Sequence, residues 1–200
     1  MKAKELVERV NKRWETFKIS HFMPALRALN PGALDDVLNI NGCRNYQWAP
    51  CLIDEVRPSQ VVELGGAMGV WDIMVLNAAY QDFKLFSITL EEHGLEFSYI
   101  VDNYPNLVKV VGDDLDLKNW PKDIDLNKTD IWYFDSLHEA KQLQAELDLY
   151  TPFFKKGAVL VFDDIRMDEL WPIWEKLAKE HDSIELTAPL HYSGYGLAIV

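Results

Sequence analysis

The chain is poor in cysteine and lacks long apolar runs. Its two cysteines, Cys43 and Cys51, form no CxxC pair, so free thiols in a reducing cytoplasm are a simpler interpretation than a zinc site or a disulfide. No apolar run approaches the roughly 18 residues that span a bilayer, and the charged N-terminal segment is unlike a signal peptide. We therefore expect a cytoplasmic protein that does not enter a membrane.

Positive charge is also scarce. Acidic residues outnumber basic ones by 32 to 20, which gives a formal net charge of -12. Such a surface repels a phosphate backbone, so we do not expect nucleic acid as a partner. The 200 residues, 48% of them hydrophobic, suit one domain with a substantial core.

Strand and helix patterns alternate from Gln60 onward. Five short apolar runs indicate buried strands: "QVVEL", "KLFSITL", "VKVVGDD", "DIWYFD" and "AVLVFDD". Helical segments between most of them predict an α/β fold, a Rossmann-like three-layer sandwich with a mostly parallel sheet. Two further runs, "SIELTA" and "GLAIV", are joined by a link too short for a parallel crossover. The sheet should therefore have seven strands, with an antiparallel C-terminal strand.

A helical section precedes this alternation. Its apolar residues recur at spacings of three and four, at Leu6, Val10, Trp14 and Phe17. We predict a helical N-terminal cover over residues 1–50 and the main domain over residues 51–200. The cover could lie over a binding site or simply pack on the sheet, and its apolar helix is a candidate surface for a homo-oligomer.

Acidic residues follow all five predicted parallel strands. They stand in the segments "ELGGAMG", "EEH", "GDD", "DSLH" and "DDI". Ligands of open α/β sheets bind beyond the carboxyl ends of the strands. Helix capping explains single acids at such positions, but acids at all five ends, with a glycine cluster at the first, favour a binding site at this edge.

Three glycines separate the first strand from the next helix, at Gly65, Gly66 and Gly69. Glycine permits a sharp turn and the close approach of a ligand. The dinucleotide fingerprint GxGxxG does not fit, because Ala67 and Val70 occupy two of its glycine positions, and no GxxxxGK[ST] phosphate loop is present. Glu63, just before the glycines, would repel a phosphate. These features disfavour an NAD-dependent oxidoreductase, although any tight turn between a strand and a helix gives a similar loop.

The segment "VVELGGAMG" resembles the first motif of the class I S-adenosylmethionine-dependent methyltransferases, an acid followed by a glycine-rich loop. The resemblance implies S-adenosylmethionine as cofactor, with Glu63 at its amino-acid end. Four loop residues would surround the methionine moiety: Gly65, Gly66, Ala67 and Gly69. The family has an acid that grips the ribose at the end of the second strand; Thr89 could hold that position, which would be a departure from the family, and we assign the role to Glu91, two residues further on. Asp113 would accept from the adenine amine, unless it is a plain turn acid.

A second block, "YFDSLHEAKQLQAELDLYTPFFKKGAVLVFDD", resembles metal-dependent O-methyltransferases. The similar groups are the catechol type and the antibiotic-sugar and cephalosporin hydroxylase-like proteins. If the fourth and fifth strands are neighbours, Asp135, Asp163 and Asp164 converge, and a divalent cation such as Mg²⁺ would relieve their repulsion. The resemblance makes His138 the general base, and Asp135 is also assigned to cofactor binding. Taken alone, His138 is more often a residue at a helix start, and Asp164 a helix cap.

The combined pattern predicts a metal-dependent O-methyltransferase that acts on a hydroxyl of a small molecule, for example a sugar or polyphenol. The alternatives are an NAD-dependent oxidoreductase and a non-catalytic binding module with the methyltransferase fold. Trp48 either lies over the cofactor mouth or packs in the core. His191 and Tyr192 either line the acceptor pocket or, on the simpler interpretation, are exposed.

Overall fold

A computed structural model gives the fold, and it describes residues 1–19, 44–67, 69–91, 102–167, 169–186 and 190–200. The strands of its central sheet are β1 (Gln60–Leu64), β2 (Lys84–Thr89), β3 (Leu107–Val111), β4 (Ile131–Phe134), β5 (Val159–Asp163), β6 (Asp182–Glu185) and β7 (Tyr195–Ile199). Within these residues the sheet has seven strands in the order β3-β2-β1-β4-β5-β7-β6. The pairs among β1 to β5 are parallel, and β7 is antiparallel to both β5 and β6. The predicted sheet is confirmed.

Helices cover both faces of the sheet. They are α1 (Ala3–Trp14), α2 (Asn45–Val56), α3 (Val70–Leu76), α4 (Ala140–Tyr150) and α5 (Trp171–Glu180), with short 3₁₀ turns at Leu117–Asn119, Leu126–Lys128 and Thr151–Phe153. The first three helices share one hydrophobic cluster with the sheet, and α4 and α5 share the other. The helix predicted from "LEFSYIVDNY" lies mostly in residues 92–101, outside the described residues.

Side-chain alternation along the strands divides the core between the two faces. In β4, Ile131 and Tyr133 enter the cluster under α1 to α3, while Trp132 and Phe134 enter the one under α4 and α5. All four are buried, as expected for a parallel strand covered on both faces. The same alternation directs Asp135, two residues after Tyr133, toward the α1–α3 side.

The N-terminal section shares its core with the sheet. The indole of Trp48 is fully buried, donates to the Asn11 side chain at 2.9 Å and meets the Tyr195 ring edge-on at 6.0 Å. Trp48 therefore packs in the core. Residue 50 lies inside α2, and the division of the chain at this point stays a prediction.

The described cysteine is a free, buried thiol. Burial raises the pKa of Cys51 to about 12, so the group stays protonated and unreactive at neutral pH. Cys43 lies outside the described residues. No helix in the described ranges is both long enough and apolar enough to cross a membrane.

Candidate active site

A cleft of about 380 Å³ opens at the carboxyl ends of β1 to β4. This volume is within the usual range of small-molecule sites. Five of the predicted cofactor residues line it, namely Gly65, Ala67, Glu91, Asp113 and Asp135. Thr89 lines it as well, so both alternatives for the ribose contact reach the cleft. The parallel register explains the convergence, because neighbouring strands end at the same edge of the sheet.

The glycine loop is held against the ends of β2 and β4, the two strands that flank β1. The backbone amides of Gly65 and Gly66 both donate to the Ile88 carbonyl of β2 at 3.0 Å. Gly65 has a φ of +92°, and a Cβ added there would lie 2.0 Å from the Asp135 carbonyl oxygen. This close approach, which only glycine allows, places the loop directly beside Asp135. Gly69, with a φ of +70°, begins α3 and does not line the cleft.

Glu63 faces the interior instead of the cleft. Its carboxyl accepts from the Ser87 hydroxyl, and the Lys109 ammonium lies next to both, donating to Ser87 at 3.0 Å and to Asp72 at 2.6 Å. Lys109 also donates to the Gly66 carbonyl, which anchors the loop from below. Burial, with the nearby Asp72 charge, raises the pKa of Glu63 well above its usual value. The contact of Glu63 with the cofactor stays a prediction.

Tyr133 joins the carboxylates of β4 and β5. Its buried hydroxyl lies 3.2 Å from Oδ2 of Asp135 and 2.9 Å from Oδ2 of Asp163. A hydroxyl has a single proton, so it can contact both groups favourably only when one carboxyl is itself protonated. Asp135 and the Asp163–Asp164 pair therefore lie together, as the predicted convergence of strand ends requires.

Asp164 has two different neighbours on its two carboxylate oxygens. Oδ2 of Asp164 lies 3.1 Å from Nε2 of His138. The same Nε2 atom lies 3.4 Å from Oδ1 of Asp135. Oδ1 accepts from the Ser193 hydroxyl and lies 3.6 Å from Nδ1 of His191. We call these the His138 side and the His191 side of the cluster.

The backbone of Asp164 is in the left-handed region, with a φ of +53°. This conformation costs a non-glycine residue about 1–2 kcal/mol. Consecutive residues of an extended strand point to opposite faces, and the left-handed turn allows Asp164 to point into the same cluster as Asp163. Such strain is typical of functional sites.

Burial and mutual repulsion raise the pKa values of two acids of the cluster, Asp163 and Asp135. For Asp163 the main cause is burial, followed by the charges of Asp135 and Asp164. For Asp135 burial again raises the pKa, while the hydrogen bond to His138 opposes the change. The same hydrogen bond raises the pKa of His138 above its usual value, against the effect of burial. The cluster therefore has an excess of negative charge that protons or a cation can neutralise.

His191 was expected to be exposed, and that expectation is wrong. The residue is only 5% exposed, and its Nδ1 lies 3.6 Å from Oδ1 of both Asp163 and Asp164. Tyr192 is 73% exposed, as expected. Sequence reasoning gave Tyr133, Asn45 and Ser193 no role in the site; only Tyr133 had a usable signal, its place two residues before Asp135 on the same face of β4.

A second pair of buried acids, Glu146 and Asp114, lies at the cleft, and Asp114 is one of its lining residues. Glu146 is fully buried and accepts from the Ser136 hydroxyl and the Gln142 amide through Oε1. Its Oε2 has no hydrogen-bond donor among the described residues, but a proton on it can be shared with Asp114. Burial and the Asp114 charge raise the pKa of Glu146 to about 8. Ser136, Gln142 and Asp114 all line the cleft, so the protonation of Glu146 affects one wall of it.

We expect Glu146→Gln to stabilise the protein above pH 8 and to flatten its pH dependence. The folded-state pKa of Glu146 is raised, so folding favours the protonated carboxyl. The stability that this proton contributes is fully present below the unfolded-state pKa of about 4.3 and is lost as the pH rises to the folded-state pKa of about 8. One proton corresponds to about 1.4 kcal/mol per pH unit within this window. Melting temperatures of both proteins across the window test this, and a constant difference between them contradicts it.

Comparison with known proteins agrees with the fold and the cleft. Residues 62–165, just over half of the chain, match the family model described as a methyltransferase domain. The fold, with its cleft at the carboxyl ends of the strands, defines a class I methyltransferase architecture. The chain belongs to this methyltransferase family. It is an S-adenosylmethionine-dependent methyltransferase, which decides against the NAD-dependent oxidoreductase and the non-catalytic module.

Several solved structures share this fold. A methyltransferase from Geobacter sulfurreducens has 15% identity and a TM-score of 0.60, over 78% of each chain. A Staphylococcus aureus protein provisionally assigned as a caffeoyl-CoA O-methyltransferase has 15% identity and a TM-score of 0.59, over 77% of this chain and 81% of that one. The cofactor-bound protein Rv0187 from MTB has 18% identity and a TM-score of 0.60, over 88% and 89%. No curated protein matches the chain.

Proposed function

We propose that this enzyme transfers the methyl group of S-adenosylmethionine to a hydroxyl of a small molecule, with the help of a divalent cation such as Mg²⁺. Glu63, the glycine loop, Glu91 and Asp113 serve the cofactor, as the family resemblance implies. Asp135, Asp163 and Asp164 hold the cation, and His138 is the general base.

The position of Asp135 is the observation that carries this proposal. Asp135 is one of the residues that line the cofactor cleft, and its carboxylate belongs to the acid cluster through the Tyr133 and His138 contacts. A donor in the cleft and an acceptor hydroxyl at the cluster would therefore be neighbours. Methyl transfer between two bound molecules depends on such alignment.

The donor set of the cluster fits a divalent cation. Three carboxylates and two imidazoles lie together, and burial, together with the charges of the neighbouring acids, raises the pKa values of Asp135 and Asp163. When bound, the cation would lower the pKa of an acceptor hydroxyl. Asp135, Asp163 and Asp164 supply oxygen ligands of the kind that Mg²⁺ prefers.

His138 has the position and chemistry to take the acceptor proton. Its side chain is 40% exposed beside the buried acids, and its Nε2 faces Asp135 and Asp164. As the acceptor oxygen bonds to the methyl carbon, the carbon–sulfur bond breaks and its electron pair stays on sulfur, giving S-adenosylhomocysteine. The hydroxyl proton passes to the His138 imidazole. Asp135 and Asp164 stabilise the resulting imidazolium.

A mass-shift screen tests the proposal. The protein is incubated with S-adenosylmethionine, Mg²⁺ or Mn²⁺ and a panel of hydroxylated sugars and phenols, and products are examined for the gain of one methylene. We expect such a product with its methyl on oxygen, and we expect EDTA to suppress its formation. Methylation at nitrogen or carbon, or full turnover in EDTA, contradicts the corresponding part of the proposal.

A further inference from the structure

We propose that His191 is a nitrogen ligand of the cation, which makes the site selective for a first-row transition ion such as Mn²⁺ or Co²⁺ over Mg²⁺. The proposed ligands are Oδ1 of Asp163, Oδ1 of Asp164 and Nδ1 of His191. Asp135 then acts mainly as the partner of His138. This inference rests on the proposed cation of the methyltransferase site and changes its ligand set and metal preference.

The spacing of the three donor atoms supports a common ion. Nδ1 of His191 lies 3.6 Å from Oδ1 of Asp163 and 3.6 Å from Oδ1 of Asp164, and each of the three residues offers one ligand atom within 4.8 Å of those of the other two. Ligands bound at about 2.1 Å must be about 3.0–3.5 Å apart. Small side-chain rotations are enough to reach this distance, and all three residues are buried, so water competes little for them.

The loop that contains His191 is fixed on both sides. The backbone amide of Asn45 donates to the Leu190 carbonyl at 3.1 Å, and its side-chain amide donates to Oδ2 of Asp163 at 3.3 Å. The amide of Arg166 donates to the Ser193 carbonyl at 2.7 Å. Asn45 therefore holds the histidine loop and one carboxylate together, an arrangement that pre-organises ligands before an ion binds.

The two carboxylate oxygens of Asp164 face different parts of the site: one faces the proposed ion and the other faces the proposed general base. Oδ1 belongs to the His191 side and Oδ2 to the His138 side, so an ion on the first side leaves His138 with Asp135 and the acceptor. The Ser193 hydroxyl now bridges Asp164 and His191, 3.0 Å from Nδ1. As a neutral group it supports this geometry without being required as a ligand.

A buried imidazole changes the metal preference of a carboxylate site. Mg²⁺ binds oxygen ligands almost exclusively and keeps several waters. Imidazole suits transition ions, whose affinity for mixed nitrogen and oxygen sites rises along the first row. We therefore expect the metal-free protein to bind Mn²⁺ at least about tenfold more tightly than Mg²⁺ in calorimetric titrations with each ion alone.

Electron spin-echo spectroscopy of bound Mn²⁺ tests the ligand directly, since a coordinated imidazole gives a ¹⁴N modulation. We expect His191→Ala to remove the modulation and to weaken Mn²⁺ binding by about tenfold or more, while Mg²⁺ binding changes little. The matched controls are His138→Ala and Ser193→Ala, which should retain the modulation. If His191→Ala does not fold, His191→Gln keeps the size of the side chain and serves the same test.

Different outcomes separate this inference from the proposed function. A modulation that survives His191→Ala, or that disappears in His138→Ala, overturns the assignment of His191. Equal affinities for Mn²⁺ and Mg²⁺ without a ¹⁴N modulation overturn it too, but leave an all-oxygen site intact. Failure to bind either ion removes both metal assignments, and binding of S-adenosylhomocysteine then still reports on the cofactor cleft.

Discussion

Replacing Gly65 by alanine is expected to lower the melting temperature by about 10 °C and to abolish cofactor binding. The new Cβ would lie 2.0 Å from the carbonyl oxygen of Asp135 and 2.6 Å from the Cα of Ser136, both backbone atoms that cannot rotate away. The clash costs about 1–3 kcal/mol, and the φ of +92° adds about 1–2 kcal/mol for any residue with a side chain. Either the loop or the end of β4 must move, and both line the cleft.

Gly157→Ala is a matched control for this substitution. Gly157 has a similar φ of +84°, but a Cβ there meets nothing within 4 Å. It lies before β5, at the opposite edge of the sheet from the cleft. The control should lose only the backbone contribution, about 1–2 kcal/mol, and keep cofactor affinity. Thermal melts and calorimetry with S-adenosylhomocysteine measure both effects, and equal losses in the two variants would show that the contact with Asp135 is unimportant.

Replacing His138 by alanine is expected to reduce turnover by about 10²- to 10⁴-fold while cofactor and metal binding survive. The side chain touches no residue of the glycine loop in the described contacts, so its loss leaves the cofactor site in place. The base works only when it is neutral, and its pKa is raised by Asp135 and Asp164. In the wild-type protein the rate should therefore rise with pH until the imidazole is deprotonated, and this rise should be missing in the variant.

His181→Ala is the corresponding control histidine variant. His181 ends α5, and the following residue, Asp182, pairs with Ile199 at the edge of the sheet opposite the active site. Its pH–rate profile should be that of the wild-type protein. If His138→Ala retains full turnover, or keeps the same rise with pH, the proton goes elsewhere and the general-base assignment is wrong.

The sequence was sufficient to predict the main features of the fold and many of the residues at the carboxyl ends of the strands. The β-branched and apolar runs identified all seven strands, and the short link before "GLAIV" required an antiparallel pair. Parallel strands end at one edge, so the strand ends predicted that Asp135 would meet Asp163 and Asp164 if β4 and β5 were neighbours, and the sheet order shows that they are. Whether Glu63 faced the cleft was beyond such reasoning, because the groups around it, Ser87, Lys109 and Asp72, come from β2, β3 and α3.

The sequence by itself determined the succession of strands and helices along the chain, the glycine loop and the carboxylates at the strand ends. These features depend on local periodicity and on the common direction of parallel strands. Only the tertiary structure brought His191 into the acid cluster and divided Asp164 between two histidines. Loop residues such as His191 have no periodic pattern, and their neighbours are set by long-range contacts such as that between Asn45 and Leu190. Those contacts, and not the spacing of residues, decide which side chains could share an ion.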